Sequence, residues 1–172
     1  MTEEDLNPYP LEKKYIEVMY DGPTKARLAA YCVEHGFDCT QTFSGRKVAP
    51  EDFGFHTTVW FTTTEHRIPN QDRDIRPFTV KPIGFELFGE DQNILVLLVE
   101  GGSYVDRKMP DDYDALLNIR DSFGRTHRMD DQWPDYRPHI TLSYVHDGDI
   151  PDVPLPDFPL VVNHLNVKPQ KK

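Results

Sequence analysis

Pro138-His139-Ile140-Thr141-Leu142, taken together with His56-Thr57-Thr58-Val59, decides how this chain is read. Each stretch sets a histidine two residues ahead of a threonine inside a β-favouring run. Side chains on a strand alternate faces, so positions i and i+2 point the same way. His56 and Thr58 therefore share one face of their strand, and His139 and Thr141 share one face of theirs. An imidazole beside a hydroxyl, presented twice, suits acid–base work on an oxyanion such as a phosphate. A single His-x-Thr is usually a half-buried polar pair. Its recurrence in a second, comparable strand is what makes a site worth building.

The flanking sequence places both motifs in similar surroundings. Tyr15 to Tyr20 alternates as a strand and is stopped by Asp21-Gly22-Pro23. Pro23 to His35 follows as a helix, with Leu28, Tyr31 and Cys32 at i, i+3, i+4 and Gly36 placed to close it. A loop from Phe37 to Gly54 leads to the first His-x-Thr strand, Phe55 to Phe61. Glu65 to Arg76 reads as a charged connection beside a cleft. Phe78 to Val80, Ile83 to Phe88 and Ile94 to Val99 read as separate strands broken by Pro82 and Gly89-Glu90-Asp91, and Leu95 to Val99 is apolar enough to be buried on both faces. Pro110 to Phe123 reads as a second helix ended by Gly124, followed by a polar loop through Trp133 and then the second motif. A proline-rich connector from Pro151 to Pro159 precedes a last strand, Leu160 to Val167, and a basic tail.

The order strand, helix, His-x-Thr strand thus occurs in both halves. This predicts one α+β domain over residues 1–172, built as two pseudo-symmetric lobes of antiparallel sheet with helices packed outside and a central cleft. Residues 1–13 read as a loosely held arm.

Two histidines flanking one phosphate can cleave a diester that has a neighbouring hydroxyl. One takes the hydroxyl proton and the other protonates the leaving oxygen, while Thr58 and Thr141 donate to the non-bridging oxygens. Histidine fits either role because its ordinary pKa is about 6.5. Zinc is the rival use of two histidines, but the close-spaced ligands of zinc motifs are missing. No metal and no cofactor are expected.

The pair His56-Thr57-Thr58-Val59 and His139-Ile140-Thr141-Leu142 resembles the double H-x-[T/S]-x signature of the 2H phosphoesterase superfamily. The resemblance runs from Tyr15 to Val167. Thr57 departs from it, standing where that superfamily prefers an apolar residue; strand parity turns it away from the site. Within the superfamily, Pro138-His139-Ile140-Thr141-Leu142-Ser143-Tyr144 and the short first-lobe connection look most like the phage anti-CBASS protein 1 family. That resemblance implies a metal-independent phosphodiesterase acting on cyclic di- and trinucleotide immune signals, serving phage immune evasion. The alternatives are an RNA-end 2′,3′-cyclic phosphodiesterase or ligase-like enzyme of the same chemistry, and a binding module that sequesters a cyclic nucleotide.

Four further residues are candidates for substrate contact. Tyr144 follows the second motif, Tyr20 closes the first strand, Trp60 sits two residues past Thr58, and Arg137 shares strand parity with His139. An aromatic stacked on a base contributes roughly 1–3 kcal/mol; packing is the competing role for all three rings. Arg46 and Lys47 are the other cationic candidates. His66, His127, His146 and His164 lack a threonine at i+2 and read as surface or structural.

Composition sets the outer bounds. The chain has 172 residues, 38% hydrophobic and 12% aromatic, and a formal net charge of −10. That charge argues against binding long nucleic acid, where phosphate neutralisation drives affinity. It leaves room for a small anionic ligand held by local donors. Two cysteines and no signal-peptide pattern predict a reducing compartment, the cytoplasm. No apolar run approaches the roughly 20 residues of a membrane span. Oligomeric state is left open.

Overall fold

The computed structural model describes residues 9–127 and 136–170. Six strands, all paired antiparallel, form one sheet: β1 (Lys14–Tyr20), β2 (His56–Phe61), β3 (Gln71–Phe88), β4 (Ile94–Glu100), β5 (His139–Ser143) and β6 (Leu160–Pro169). Two helices complete it, α1 (Gly22–His35) between β1 and β2, and α2 (Ala115–His127) between β4 and β5. The α+β class and the repeated strand–helix–motif-strand order are as expected from sequence. The strand order, β2-β1-β6-β3-β4-β5, reads the same from either end in that sense: a motif strand at the edge, its helix-linked partner next, a third strand inside. The two halves are therefore two ends of one continuous sheet.

Each of the five ladders carries a register shift. Bulges bend the bulged strand and increase local twist. Together they curl the sheet until Cα atoms of the two edge strands, β2 and β5, come within 8 Å of each other. The motifs at opposite ends of the strand order thus meet in space.

α1 forms where its signals say it should. The Asp21 side chain accepts from the Thr24 amide at 2.8 Å, and Gly36 closes the helix in the left-handed region at φ 74°. The Phe37 amide returns to Cys32 O at 2.8 Å and the Gly36 amide to Val33 O at 3.3 Å, the two bonds of a Schellman closure. Leu28, Ala29, Tyr31 and Cys32 are its buried face. α2 departs from the sequence reading at both ends. Asp114, rather than the Pro110 segment, caps it by accepting from the Leu117 amide at 3.0 Å, and the helix runs through Gly124. Gly124 lies inside the helix beside Trp60, where an added Cβ would make an ordinary contact with the indole at 3.7 Å.

β3 also departs. It begins at Gln71 and passes through both Pro77 and Pro82, joining the expected charged connection and two strands into 18 residues. Proline is accepted where a strand bulges, and the β3 ladders shift register between Asp74 and Phe78 and between Pro82 and Gly84. The first part of β3 pairs with β6 and the last part with β4, so this strand joins the two halves. Gly102, just after β4, passes so close under β3 that a Cβ would stand 1.8 Å from Thr79 O; no other residue fits there. β4 is largely buried, Leu95, Val96, Leu97 and Val99 each at 2% exposure or less. The loop through Trp133 and most of the N-terminal arm lie outside the described residues. Residues 9–13 do not hang free: Glu12 bridges to His66, and Arg67 donates to Tyr9 O at 2.8 Å. Among the described residues no helix is long and apolar enough to cross a membrane.

Thr57 is fully buried on the face away from the motif histidines and lies 2.8 Å, hydroxyl to hydroxyl, from buried Tyr20. The polar departure at Thr57 is thereby satisfied. Thr57→Val leaves the Tyr20 hydroxyl buried without its partner and is expected to cost about 1–3 kcal/mol, whereas Thr57→Val with Tyr20→Phe removes both groups and should recover most of that loss. A double-mutant cycle by chemical denaturation measures it.

Candidate active site

β1 alternates between the two faces of the sheet. Ile16, Val18 and Tyr20 point into the core, leaving Tyr15 and Glu17 on the other face. Glu17 pairs directly across from Thr58 on β2 and from Asn166 on β6. On β5, His139 and Thr141 stand opposite Leu98 and Val96 of β4. The two His-x-Thr pairs therefore occupy the same concave face, one from each edge.

Both histidines are oriented by the same device. His56 Nδ1 lies 3.0 Å from Gly54 O, and His139 Nδ1 lies 2.9 Å from Arg137 O. A carbonyl only accepts, so Nδ1 carries the hydrogen in each ring. Nε2 is the nitrogen left for chemistry. At His56 it contacts the Tyr15 hydroxyl at 2.9 Å, and that hydroxyl also lies 2.7 Å from Thr58 Oγ1. His139 packs its ring edge-on to Phe88, with centroids 4.8 Å apart. Tyr144 follows the second motif strand as its nearest aromatic neighbour in sequence, with Thr141 among the groups that act on its hydroxyl.

A cleft of about 510 Å³ opens between the edges. Tyr15, Thr58, Val59 and Phe61 line it from one side, and Phe88, Tyr136, Arg137 and His139 from the other. Its size falls in the roughly 300–1,000 Å³ range of small-molecule sites. His56 and Thr141 are not among the residues that line it; His56 reaches it through the Tyr15 hydroxyl.

The structure relocates two of the candidate contact residues. Tyr20 is 1% exposed and belongs to the core, on the face opposite the cleft. Trp60 does not share a face with Thr58. The β1–β2 register steps from Glu17 opposite Thr58 to Ile16 opposite Trp60, so Val59 is a bulge and the alternation inverts beyond it. Trp60 is turned inward, its Nε1 donating to Arg120 O at 3.2 Å, and Phe61 takes the cleft side. Arg137 does line the cleft, but its guanidinium is ion-paired with Glu86. Tyr144 is half-buried against Phe43 and Phe53, so that loop 37–54 of the first half packs on a site residue of the second. Lys47 bonds Gln41 at 3.0 Å within that same loop. His146 packs on Phe37, and His164 is held by Asp72 and Asp74. Neither histidine lines the cleft.

Sequence reasoning misses Tyr15, Glu17 and Lys168 on the site face and Phe61, Phe88 and Tyr136 in the cleft walls. Tyr15 and Glu17 were read as ordinary strand residues, and Lys168 as tail. Glu17 is 5% exposed; its Oε1 accepts from Asn166 at 3.1 Å and lies 3.5 Å from Lys168 Nζ, and its Oε2 lies 3.6 Å from His56 Nε2. Only the pairing of β1 with β2 and β6 brings these together. The usable signal was parity: Tyr15 and Glu17 occupy alternate positions of a strand next to a motif strand.

The bulge is pinned by its carbonyls. Tyr136 donates to Thr58 O, and buried Arg120 donates to Val59 O while stacking 3.5 Å above the Trp60 ring and 4.2 Å from that of Tyr136. Thr58 is thereby fixed from outside its own strand.

Burial holds the His139 imidazole below its ordinary range, with nearby His56 and Arg137 adding to the effect and the bond to Arg137 O opposing it. Burial also pushes the hydroxyls of Tyr15 and Tyr144 up, so both remain protonated at neutral pH. For His139 the linkage has a definite sign. Below about pH 6.5 the unfolded chain binds a proton that the folded site resists, so this group removes stability as pH falls from there toward its folded value, and costs nothing above. His139→Gln is expected to flatten that part of the stability–pH curve, checked by urea midpoints between pH 5 and 7.5.

No protein-family model and no curated protein matches the chain. Among solved structures, it is similar to E. coli LigT complexed with 3′-AMP, at 13% identity and TM-score 0.48, over 92% of this chain and 87% of that one. It is also similar to E. coli LigT complexed with phosphate, at 14% identity and TM-score 0.46, over 91% and 86%. At those values no residue or activity is carried across.

Proposed function

We propose that the protein is a metal-independent phosphodiesterase in which His56 and His139 flank one phosphate and Thr58 and Thr141 donate to its non-bridging oxygens. The observation that carries this reading is the convergence of two His-x-Thr pairs from opposite sheet edges onto one concave face, each histidine held through Nδ1 by a backbone carbonyl. Such pairing supplies an acid and a base on either side of phosphorus, which in-line displacement requires. A ribose 2′-hydroxyl attacks the adjacent 3′–5′ phosphate, the 5′ oxygen leaves, and a 2′,3′-cyclic phosphate forms, open to hydrolysis by the reverse exchange of roles.

The substrate class we propose is cyclic di- and trinucleotides, as phage counter-defence against CBASS signalling, following the sequence resemblance around Pro138 to Tyr144. The cleft supports a short nucleotide. Tyr15, Phe61, Phe88 and Tyr136 offer ring faces and edges on both walls, while the net charge of −10 disfavours long RNA. The competing RNA-end activity has the same chemistry and is separated by substrate. Incubation with cyclic di- and trinucleotides and with RNA ending in a 2′,3′-cyclic phosphate, all in chelator, should give linear products from the cyclic compounds at the higher kcat/KM. Faster turnover of RNA ends would replace the signalling role with RNA processing. Recovery of intact ligand after long incubation would identify a binding module instead.

A further inference from the structure

Glu17 poses a problem for an anion site. Its carboxylate is 5% exposed and 3.6 Å from a catalytic imidazole, on the face where a phosphate has to bind. A buried negative charge there repels the ligand, so its presence calls for a role in the chemistry. We propose that Glu17 divides the labour between the histidines, holding His56 as the acid that protonates the leaving oxygen while His139 is the base that accepts the 2′-hydroxyl proton. This assignment rests on the phosphodiesterase reading above.

Tautomer and counter-charge separate the two histidines. Nδ1–H is committed to a carbonyl in both rings. A histidine can then donate from Nε2 only as the imidazolium, and accept there only as the neutral ring. A carboxylate nearby favours the imidazolium. His56 has Glu17 Oε2 at 3.6 Å and the neutral hydroxyls of Tyr15 and Thr58 as neighbours, with the Lys168 cation on the far oxygen of the same carboxylate. His139 has the opposite surroundings. An aromatic ring covers its edge, and Arg137 precedes it by two residues. Glu86, the acid on that side, is already paired with Arg137. The carboxylate thus stands beside His56, and the cationic form is opposed at His139. Burial, which holds His139 below its ordinary range, acts in the same direction.

In the step itself, His139 Nε2 takes the proton from O2′ as the O2′–P bond forms. The P–O5′ bond breaks with its electron pair on O5′, which receives the Nε2 proton of His56. His139 ends as imidazolium, His56 as neutral imidazole, and Glu17 remains a carboxylate. Glu17 touches His56 rather than the reacting atoms, so it is a positioning residue.

Leaving-group dependence tests the assignment. A nitrophenolate departs without a proton, whereas a 5′-alkoxide needs one. With the four nucleoside 3′-(4-nitrophenyl phosphates) and matching dinucleotides, His56→Ala and Glu17→Gln should each lose roughly 100-fold or more on the dinucleotide while staying within about fivefold of wild type on the nitrophenyl ester; His139→Ala should lose on both. Glu17→Asp should restore part of the dinucleotide rate. A purely structural Glu17 would lower both substrates together, and that result overturns its role. His139→Ala retaining the nitrophenyl ester while His56→Ala loses it reverses the assignment. A wild-type protein inert on every substrate removes the phosphodiesterase reading, and this inference with it.

Discussion

His139→Ala is expected to lower kcat/KM on a ribonucleotide diester by about 10²- to 10⁴-fold, the span that positioned acid–base groups contribute. His56→Ala should fall in the same range. In the proposed displacement the two act on opposite ends, so the double variant should lose far less than the product of the single losses. Neither change should unfold the protein. His56 and His139 are only part-buried, and the strands that carry them are held by ladders to β1 and β4. Matching urea midpoints for wild type and variants, measured beside the kinetics, separate lost chemistry from lost fold. Thr58→Ala and Thr141→Ala each remove one donor to the developing charge, for which losses of about 10²- to 10³-fold are typical. Unchanged turnover in either histidine variant would take that residue out of the mechanism.

Arg120→Ala is expected to damage the fold itself. The guanidinium is 6% exposed, stacked between Trp60 and Tyr136, and donates to the carbonyl of the bulge residue Val59. Truncation empties the space between two rings, leaves a buried carbonyl without that donor, and removes a desolvated cation–π contact. We expect a loss of about 3 kcal/mol, seen as a fall in urea midpoint of roughly 1.5 M for an m-value near 2 kcal/mol per M. Lysine should not rescue it, because a point charge on a flexible stem cannot stack as a planar guanidinium does. Activity should fall along with stability, since the same contacts set the bulge that aims Thr58. A shift under about 0.5 M would show that the stack is not holding the strand.

Local signals in the chain were sufficient for part of this structure. The paired motifs could be read because strand parity needs only two residues of context. α1 could be read because Asp21 and Gly36 mark both its ends. The misses share one cause, which is dependence on a neighbouring element. Pro82 looks like a strand break until β4 supplies a partner and β3 bulges at Ile83 beside it. Pro110 looks like a helix start until Asp114 takes the cap and the Ala115 amide turns to Gly102 O. Trp60 and Phe61 exchange faces because of a bulge that exists only in the register with β1. Glu17, Asn166 and Lys168 converge from strands more than a hundred residues apart in sequence. Tyr20 was placed at the cleft because it ends a strand, whereas its parity with Ile16 and Val18 already set it in the core.

The loop from Phe37 to Gly54 deserves a place in any account of substrate choice. Its Phe43, exposed at 83%, and its Phe53 both contact Tyr144, the residue that follows the second motif strand. The first half of the chain therefore buttresses the second half's motif, in addition to supplying its own.

The central claim is that two imidazoles drive attack by a neighbouring 2′-hydroxyl. It is tested most directly by incubating the protein, in chelator, with a ribodinucleotide and with its analogue lacking only the hydroxyl next to the scissile phosphate, and identifying products by mass. The account predicts a 2′,3′-cyclic phosphate and a free 5′-hydroxyl from the first, and no cleavage of the second. Cleavage of both, or activity that disappears in chelator and returns with zinc, would contradict it.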